Sequence, residues 1–203
     1  MEEVLIRRRR QKLEEELAQD EYNYDLWFDY IKLEEQAPNT TVEVVRDVYE
    51  RAIACQPLVI DKKHWSRYIY LWLYYAVYEE EVAQDIDRAR AVYEQAIKIV
   101  PHESFTFSKL WISYASYLIR RMDILGTRKL LGRALGMCPK KKQFKFYIDL
   151  EMQLGEIERC RKIFERQIQV FSFQTEVWTQ YAQFEAQLGE VERARAIFEL
   201  AVC

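Results

Sequence analysis

Residues 154–165 read Leu-Gly-Glu-Ile-Glu-Arg-Cys-Arg-Lys-Ile-Phe-Glu, and residues 188–199 read Leu-Gly-Glu-Val-Glu-Arg-Ala-Arg-Ala-Ile-Phe-Glu, an offset of 34. A fainter copy, Gln-Asp-Ile-Asp-Arg-Ala-Arg-Ala-Val-Tyr-Glu, lies at 84–94. Self-similarity at this period marks a repeat array, in which no unit buries its apolar face alone and each stacks on its neighbours. That constraint outweighs the prior from length, which would allow one or two globular domains.

Within each unit an aromatic residue is followed by Tyr at i+3 and usually by Glu at i+7. The instances are Trp27/Tyr30/Glu34, Trp72/Tyr75/Glu79, Trp111/Tyr114/Leu118, Phe144/Tyr147/Glu151 and Trp178/Tyr181/Glu185. Positions i, i+3 and i+7 share one face of an α-helix, here helix A. Arg46, Arg90, Arg128, Arg161 and Arg195 follow at 17 to 19 residues, each with Tyr49, Tyr93, Leu131, Phe164 or Phe198 three residues on. This is helix B. Pro57, Pro101 and Pro139 each fall eleven residues after their Arg, where proline stops a helix. Gly155 and Gly189 separate A from B, as a helix C-terminus requires. The short gaps make the helices antiparallel hairpins.

The predicted fold is all-α, an α-solenoid of antiparallel helical hairpins. Its expected organisation is a single array over 1–203: an orphan helix over 3–19, then repeats over 21–56, 66–100, 105–138, 141–171 and 175–203. The aromatics advance by 45 and 39 residues before settling at 33 and 34, which places an insertion at the junction around 55–68. Neither end carries the polar cap of a complete solenoid. The chain is therefore expected to be a segment of a longer array, with Leu5, Leu13, Leu17, Ile197 and Leu200 uncovered and a tendency of the isolated chain to self-associate.

Five Gly and four Pro among 203 residues leave little material for a β-sandwich, and a net charge of −3 gives no strong field toward nucleic acid. Cys55, Cys138, Cys160 and Cys203 are scattered, without a Cys-x-x-Cys pair, which fits thiols in a reducing compartment. No apolar run approaches a membrane span, and Arg7 to Arg10 precede no apolar segment of a signal peptide.

Trp-x-x-Tyr-x-x-x-Glu followed by Ala-Arg-x-Ile-Phe/Tyr-Glu-Arg-Ala resembles the half-a-tetratricopeptide (HAT) repeat along essentially the whole chain. HAT repeats occur mainly in proteins that process RNA. The stretches at 23–30, 63–72 and 105–111, with the Cys138-Pro139-Lys140 turn, are similar to the second HAT array of a pre-mRNA splicing factor. That resemblance implies a nuclear, non-enzymatic scaffold acting in spliceosome assembly by protein–protein contacts within the Prp19-associated complex. Repeat three departs from the pattern, with Leu118, Leu131 and Gly132 where Glu, an aromatic residue and Glu stand elsewhere, which puts its polar contacts in doubt.

The repeat aromatics are expected in the core, since one Trp and one Tyr per unit at constant phase are what stacking hairpins bury; the competing role is a base-stacking platform. Glu of helix A and Arg of helix B read as an intra-repeat ion pair or cap, and Glu14 to Glu16 and Glu79 to Glu81 as solvated faces. Gly132 and Gly136 sit at a spacing that permits close helix approach but means little outside a membrane. His64 and His102 lack a spaced set of Cys or carboxylate partners, so no metal is expected. No phosphate-binding glycine loop or nucleophile–base set appears, so neither cofactor nor catalysis is expected. Three basic clusters remain: Arg7 to Arg10 with Lys12; Lys62, Lys63 and Arg67; and Lys140, Lys141 and Lys142 with Lys145. The two junction clusters are the candidate contacts for RNA or a partner. The alternatives to a protein scaffold are a single-stranded RNA-binding module and a HAT adaptor in RNA 3′-end processing.

Overall fold

The computed structural model describes residues 2–202, with backbone only at residues 2 and 202; Cys203 lies outside the described residues. Eleven helices occur in order among them: α1 (Glu2–Gln19), α2 (Tyr24–Gln36), α3 (Val42–Ala54), α4 (Lys62–Glu81), α5 (Ile86–Ile99), α6 (Ser108–Arg120), α7 (Ile124–Met137), α8 (Lys141–Gln153), α9 (Ile157–Val170), α10 (Thr175–Gln187) and α11 (Val191–Val202). No strand is present among the described residues. Helices α2, α4, α6, α8 and α10 carry the helix A motif; the odd-numbered helices carry helix B.

Local chemistry terminates the helices where the composition predicts. Pro57, Pro101 and Pro139 lie just beyond α3, α5 and α7. Gly155 and Gly189 adopt φ of 74° and 83° at the ends of α8 and α10, the left-handed conformation that glycine enters without a Cβ penalty. Asp61, Asp85 and Asp123 cap α4, α5 and α7, accepting backbone N–H groups in the first turn.

The chain divides into two compact units, one ending at Tyr114 and the other beginning at Ala115, within α6. In the first, α1 packs on α2, α2 on α3, α3 on α4 and α4 on α5. In the second, α7 packs on α8, α8 on α9, α9 on α10 and α10 on α11. Its core gathers Leu135, Phe144, Ile148, Cys160, Phe164 and Tyr181 from successive helices.

Two expectations change. First, α4 has 20 residues against 13 in α2, α6, α8 and α10. Much of the extra length is thus two added helical turns, not junction loop. Second, Leu13, Leu17 and Ile197 are buried, because α1 lies on α2 and α11 on α10; only Leu5 and Leu200 of that group stay exposed. A Cβ built at Gly132 or Gly136 meets nothing within 4 Å, so neither glycine serves a close approach, in line with the expectation.

Candidate functional site

The motif residues meet between hairpins. Arg10 donates from Nε and Nη2 to both oxygens of Glu34, at 2.5 and 2.7 Å. Arg46 does the same to Glu79 at 2.8 and 2.6 Å. Arg128 holds Glu151 at 2.8 and 2.8 Å, and Arg161 holds Glu185 at 2.8 and 2.8 Å. In every case the Arg of one helix B reaches the Glu of the next repeat's helix A. The expected intra-repeat pairing by these arginines is therefore wrong. A different arginine, two residues earlier, approaches from within the repeat: Arg88 lies 3.4 Å from Glu79 and Arg193 3.9 Å from Glu185. The carboxylates are 0–1% exposed, an environment that requires a bidentate cationic partner.

Aromatic stacking follows the same route. Tyr49 stacks on Tyr75 at 4.9 Å, Tyr93 on Tyr114 at 5.1 Å and Phe164 on Tyr181 at 5.0 Å, with ring planes within 10–11°. Each pair joins a helix B ring to the next helix A tyrosine. The tyrosine hydroxyls then donate back to helix B: Tyr30 to Glu14 at 2.6 Å, Tyr75 to Glu50 at 3.1 Å and Tyr114 to Glu94 at 2.7 Å. Burial foremost pushes Tyr30, Tyr75 and Tyr181 up to about 12.

Two stretches expected as solvated faces are therefore partly committed to packing. Glu14 accepts from Arg51 at 2.9 and 2.7 Å, and this partner holds its carboxyl below the usual carboxylate range, against the opposing push of burial. Glu79 and Glu80 are buried. Helix period explains both, since each stretch wraps the helix and at least one of its residues must face a neighbour.

The indoles tie back the chain that enters their helices. Trp27, Trp65 and Trp178 each donate Nε1 to a carbonyl six residues back, of Glu21, Val59 and Ser172, at 2.9, 3.0 and 2.8 Å. In the lengthened α4 this bond belongs to Trp65, which the motif spacing passes over; Trp72 Nε1 has no hydrogen-bond partner. Trp111 donates to Thr106 Oγ1 at 3.1 Å, and His102 bonds Thr106 Oγ1 at 3.0 Å and the Ile97 carbonyl at 2.9 Å. His102 is thereby a structural histidine. Trp27, Trp72, Trp111, Phe144, Tyr30, Tyr75, Tyr114 and Tyr181 are buried, while Tyr147 and Trp178 are half-buried.

The basic clusters divide. Arg10 belongs to the inter-repeat clamp, whereas Arg7, Arg8 and Arg9 are exposed on α1. Lys62, Lys63 and Arg67 occupy the first turns of α4; Arg67 pairs with Asp25 and lies 5.3 Å over the Phe28 ring, and Lys62 Nζ stands 5.8 Å from the Phe107 ring. Lys140, Lys141 and Lys142 form the start of α8. The Lys140 backbone N–H donates to Gln143 Oε1 at 3.0 Å, and Lys141 pairs with Glu176 at 2.6 Å, lowering that carboxyl's pKa. Lys63 and Lys142 are exposed. Among the described residues no group of three or more His, Cys, Asp or Glu side chains converges as a metal site.

Stacked helical hairpins joined by an Arg–Glu clamp and a ring stack define a protein of the HAT-repeat class. The family described as pre-mRNA-splicing factor Syf1/CNRKL1 N-terminal HAT repeat matches residues 9–170, and the corresponding C-terminal HAT repeat matches residues 139–202. The chain belongs to this splicing-factor HAT-repeat family. It is 49% identical over 183 residues to Pre-mRNA-splicing factor CLF1 of Paracoccidioides brasiliensis, covering 90% of this chain and 27% of that protein. It is 46% identical over 183 residues to Crooked neck-like protein 1 of Homo sapiens, covering 90% of this chain and 21% of that protein. Against Protein crooked neck of Drosophila melanogaster the identity is 46%, over 90% of this chain and 26% of the relative. The chain thus spans only 21–27% of the length of these relatives.

Proposed function

We propose that this chain is a non-enzymatic scaffold segment acting in pre-mRNA splicing and spliceosome assembly, through protein–protein contacts in the Prp19-associated complex of the nucleus. The observation that carries the reading is the commitment of the repeat aromatics and of the Arg–Glu pairs to packing between hairpins. Chemistry-bearing side chains spent in this way leave helix faces and grooves as the available surface. The likeness to proteins named for splicing supplies the setting.

The test is a pull-down from nuclear extract on the immobilised chain, with and without ribonuclease, read by mass spectrometry. Retention of Prp19-associated proteins in both samples is the expected result. Loss of all retention after ribonuclease would replace the scaffold by an RNA-binding module. For that second reading the relevant observation is the exposure of Lys63 and Lys142 at two helix starts. It requires labelled single-stranded RNA to bind with a steep salt slope.

A further inference from the structure

In α3, α5 and α7 the residue six positions after the motif Arg is Ala52, Ala96 or Ala134, each 0% exposed. In α9 the same position is Gln167, which is 2% exposed. Its Oε1 is buried and has no hydrogen-bond partner. A small apolar position has been given an amide whose desolvated acceptor is unsatisfied, an arrangement that opposes folding.

Gln167 and Phe164 of α9 line a groove of about 440 Å³ whose other lining residues come from α8 and α10. Along the α10 wall stand Gln180, Gln183 and Gln187, at i, i+3 and i+7 and therefore on one helix face. They span about 10 Å of helix axis at 1.5 Å per residue, which is the length of roughly three residues of extended chain. On the α8 wall Lys145 and Asp149 offset one another.

We propose that this groove is a docking site for an extended polypeptide segment with neutral and apolar side chains, its main chain read by the glutamine amides. A side-chain amide offers one donor group and one acceptor, the complement of a peptide group. Gln167 Oε1, buried in the free chain, then turns toward the occupant and accepts a main-chain N–H, and Met152, 43% exposed in the lining, takes an apolar side chain. The balanced charge of the lining argues against a phosphate backbone, which requires an excess of cations. The inference deepens the scaffold reading and rests on it, adding the place and the chemistry of one contact.

Short linear peptides selected on the intact chain from a random phage-displayed library serve as probes, titrated by fluorescence anisotropy. The parent is compared with Gln167→Ala and with Gln180→Ala/Gln183→Ala. Each variant should weaken binding by about tenfold or more, as should N-methylation of a single peptide bond in the probe. Gln167→Ala should melt no lower than the parent, because alanine is what α3, α5 and α7 carry there; this separates a binding role from a structural one. Selection of no peptide, equal affinity for parent and variants, or displacement of the probe by a single-stranded oligonucleotide would overturn the proposal. Should Gln167→Ala lose the peptides yet still retain Prp19-associated proteins from extract, the groove proposal stands and those proteins dock elsewhere. Should the peptides bind the parent while extract proteins do not, the scaffold reading fails independently.

Discussion

Arg161 of α9 grips Glu185 of α10 through two parallel hydrogen bonds of 2.8 Å each. The carboxylate is fully buried and the guanidinium nearly so, with side-chain exposures of 0% and 14%. A pair of this kind contributes little net stability when intact, because desolvation offsets attraction. Removing one partner is costly, since it strands the other charge. Arg161→Leu should therefore destabilise, since it leaves the buried Glu185 carboxylate with only Arg193 at 3.9 Å, read as a fall in the urea midpoint. Arg161→Leu/Glu185→Leu should recover most of that loss. A double variant as unstable as the single one would mean that the pair is worth more than its desolvation.

Burial ranks the tryptophans. Trp65 is 1% exposed and bonded to the Val59 carbonyl, whereas Trp178 is half-buried. Trp65→Ala should cost about 3–5 kcal/mol, and Trp178→Ala clearly less. Trp72→Ala belongs with Trp65 on burial. Thermal melts of the three variants check the order. An unchanged melt for Trp65→Ala would remove the core role of the Trp65 ring in α4.

The hairpins were readable from sequence because Trp27/Tyr30/Glu34 and its counterparts share a helical face, and Gly155 and Gly189 punctuate the turns. The partner of each Arg was not readable. Period tells which face Arg46 occupies, but not whether the Glu opposite it belongs to its own repeat or to the next. The lengthening of α4 was hidden for a related reason: seven residues are nearly two whole turns, so Trp65 and Trp72 both fit the face. Gln167 gave no signal, since a glutamine near a helix end reads as surface until its burial is seen.

Tyrosine ionisation sets an alkaline limit. Tyr30, Tyr75 and Tyr181 are pushed up to about 12, with burial the largest cause, from about 10 in an unfolded chain. The folded state thus binds protons that the unfolded state releases. The stability this supplies is fully present below about pH 10 and is lost as pH rises toward about 12. Urea midpoints should hold to about pH 9 and then fall, with phenolate absorbance lagging until unfolding. Free titration of these tyrosines near the ordinary value in the folded chain would contradict the stacked, buried geometry.

Exposed apolar side chains predict association of the isolated chain. Leu5 on α1 and Phe198 and Leu200 on α11 are 61%, 46% and 63% exposed. Light scattering should show a mass that rises with concentration, and Leu5→Glu and Leu200→Glu should lower it. A constant monomer mass at high concentration would count against this.

The last prediction concerns the polar bond for which repeat three lacks the side chain. Tyr30, Tyr75 and Tyr114 each donate to a helix B Glu placed four residues after the motif Arg. Tyr147 is the corresponding tyrosine beyond α7, where that position is Gly132. Gly132 is exposed, helical and free of any neighbour within 4 Å of an added Cβ. Gly132→Ala should therefore stabilise by about 0.5–1 kcal/mol through the unfolded chain and helix propensity alone. Gly132→Glu should add an acceptor for the Tyr147 hydroxyl, and a hydrogen bond to a charged group contributes roughly 1.5–3 kcal/mol when well formed. The two effects separate in a double-mutant cycle with Tyr147→Phe: the gain of Glu over Ala should vanish in the Phe background, while the gain of Ala over Gly should persist. Hydrogen exchange should show the same division, with amides of α7 slowed by both variants and amides of α8 around Tyr147 slowed only by Glu. Equal stability of the Ala and Glu variants in the Tyr background would mean that the tyrosine–glutamate bonds of the other repeats follow from their packing and contribute nothing to it.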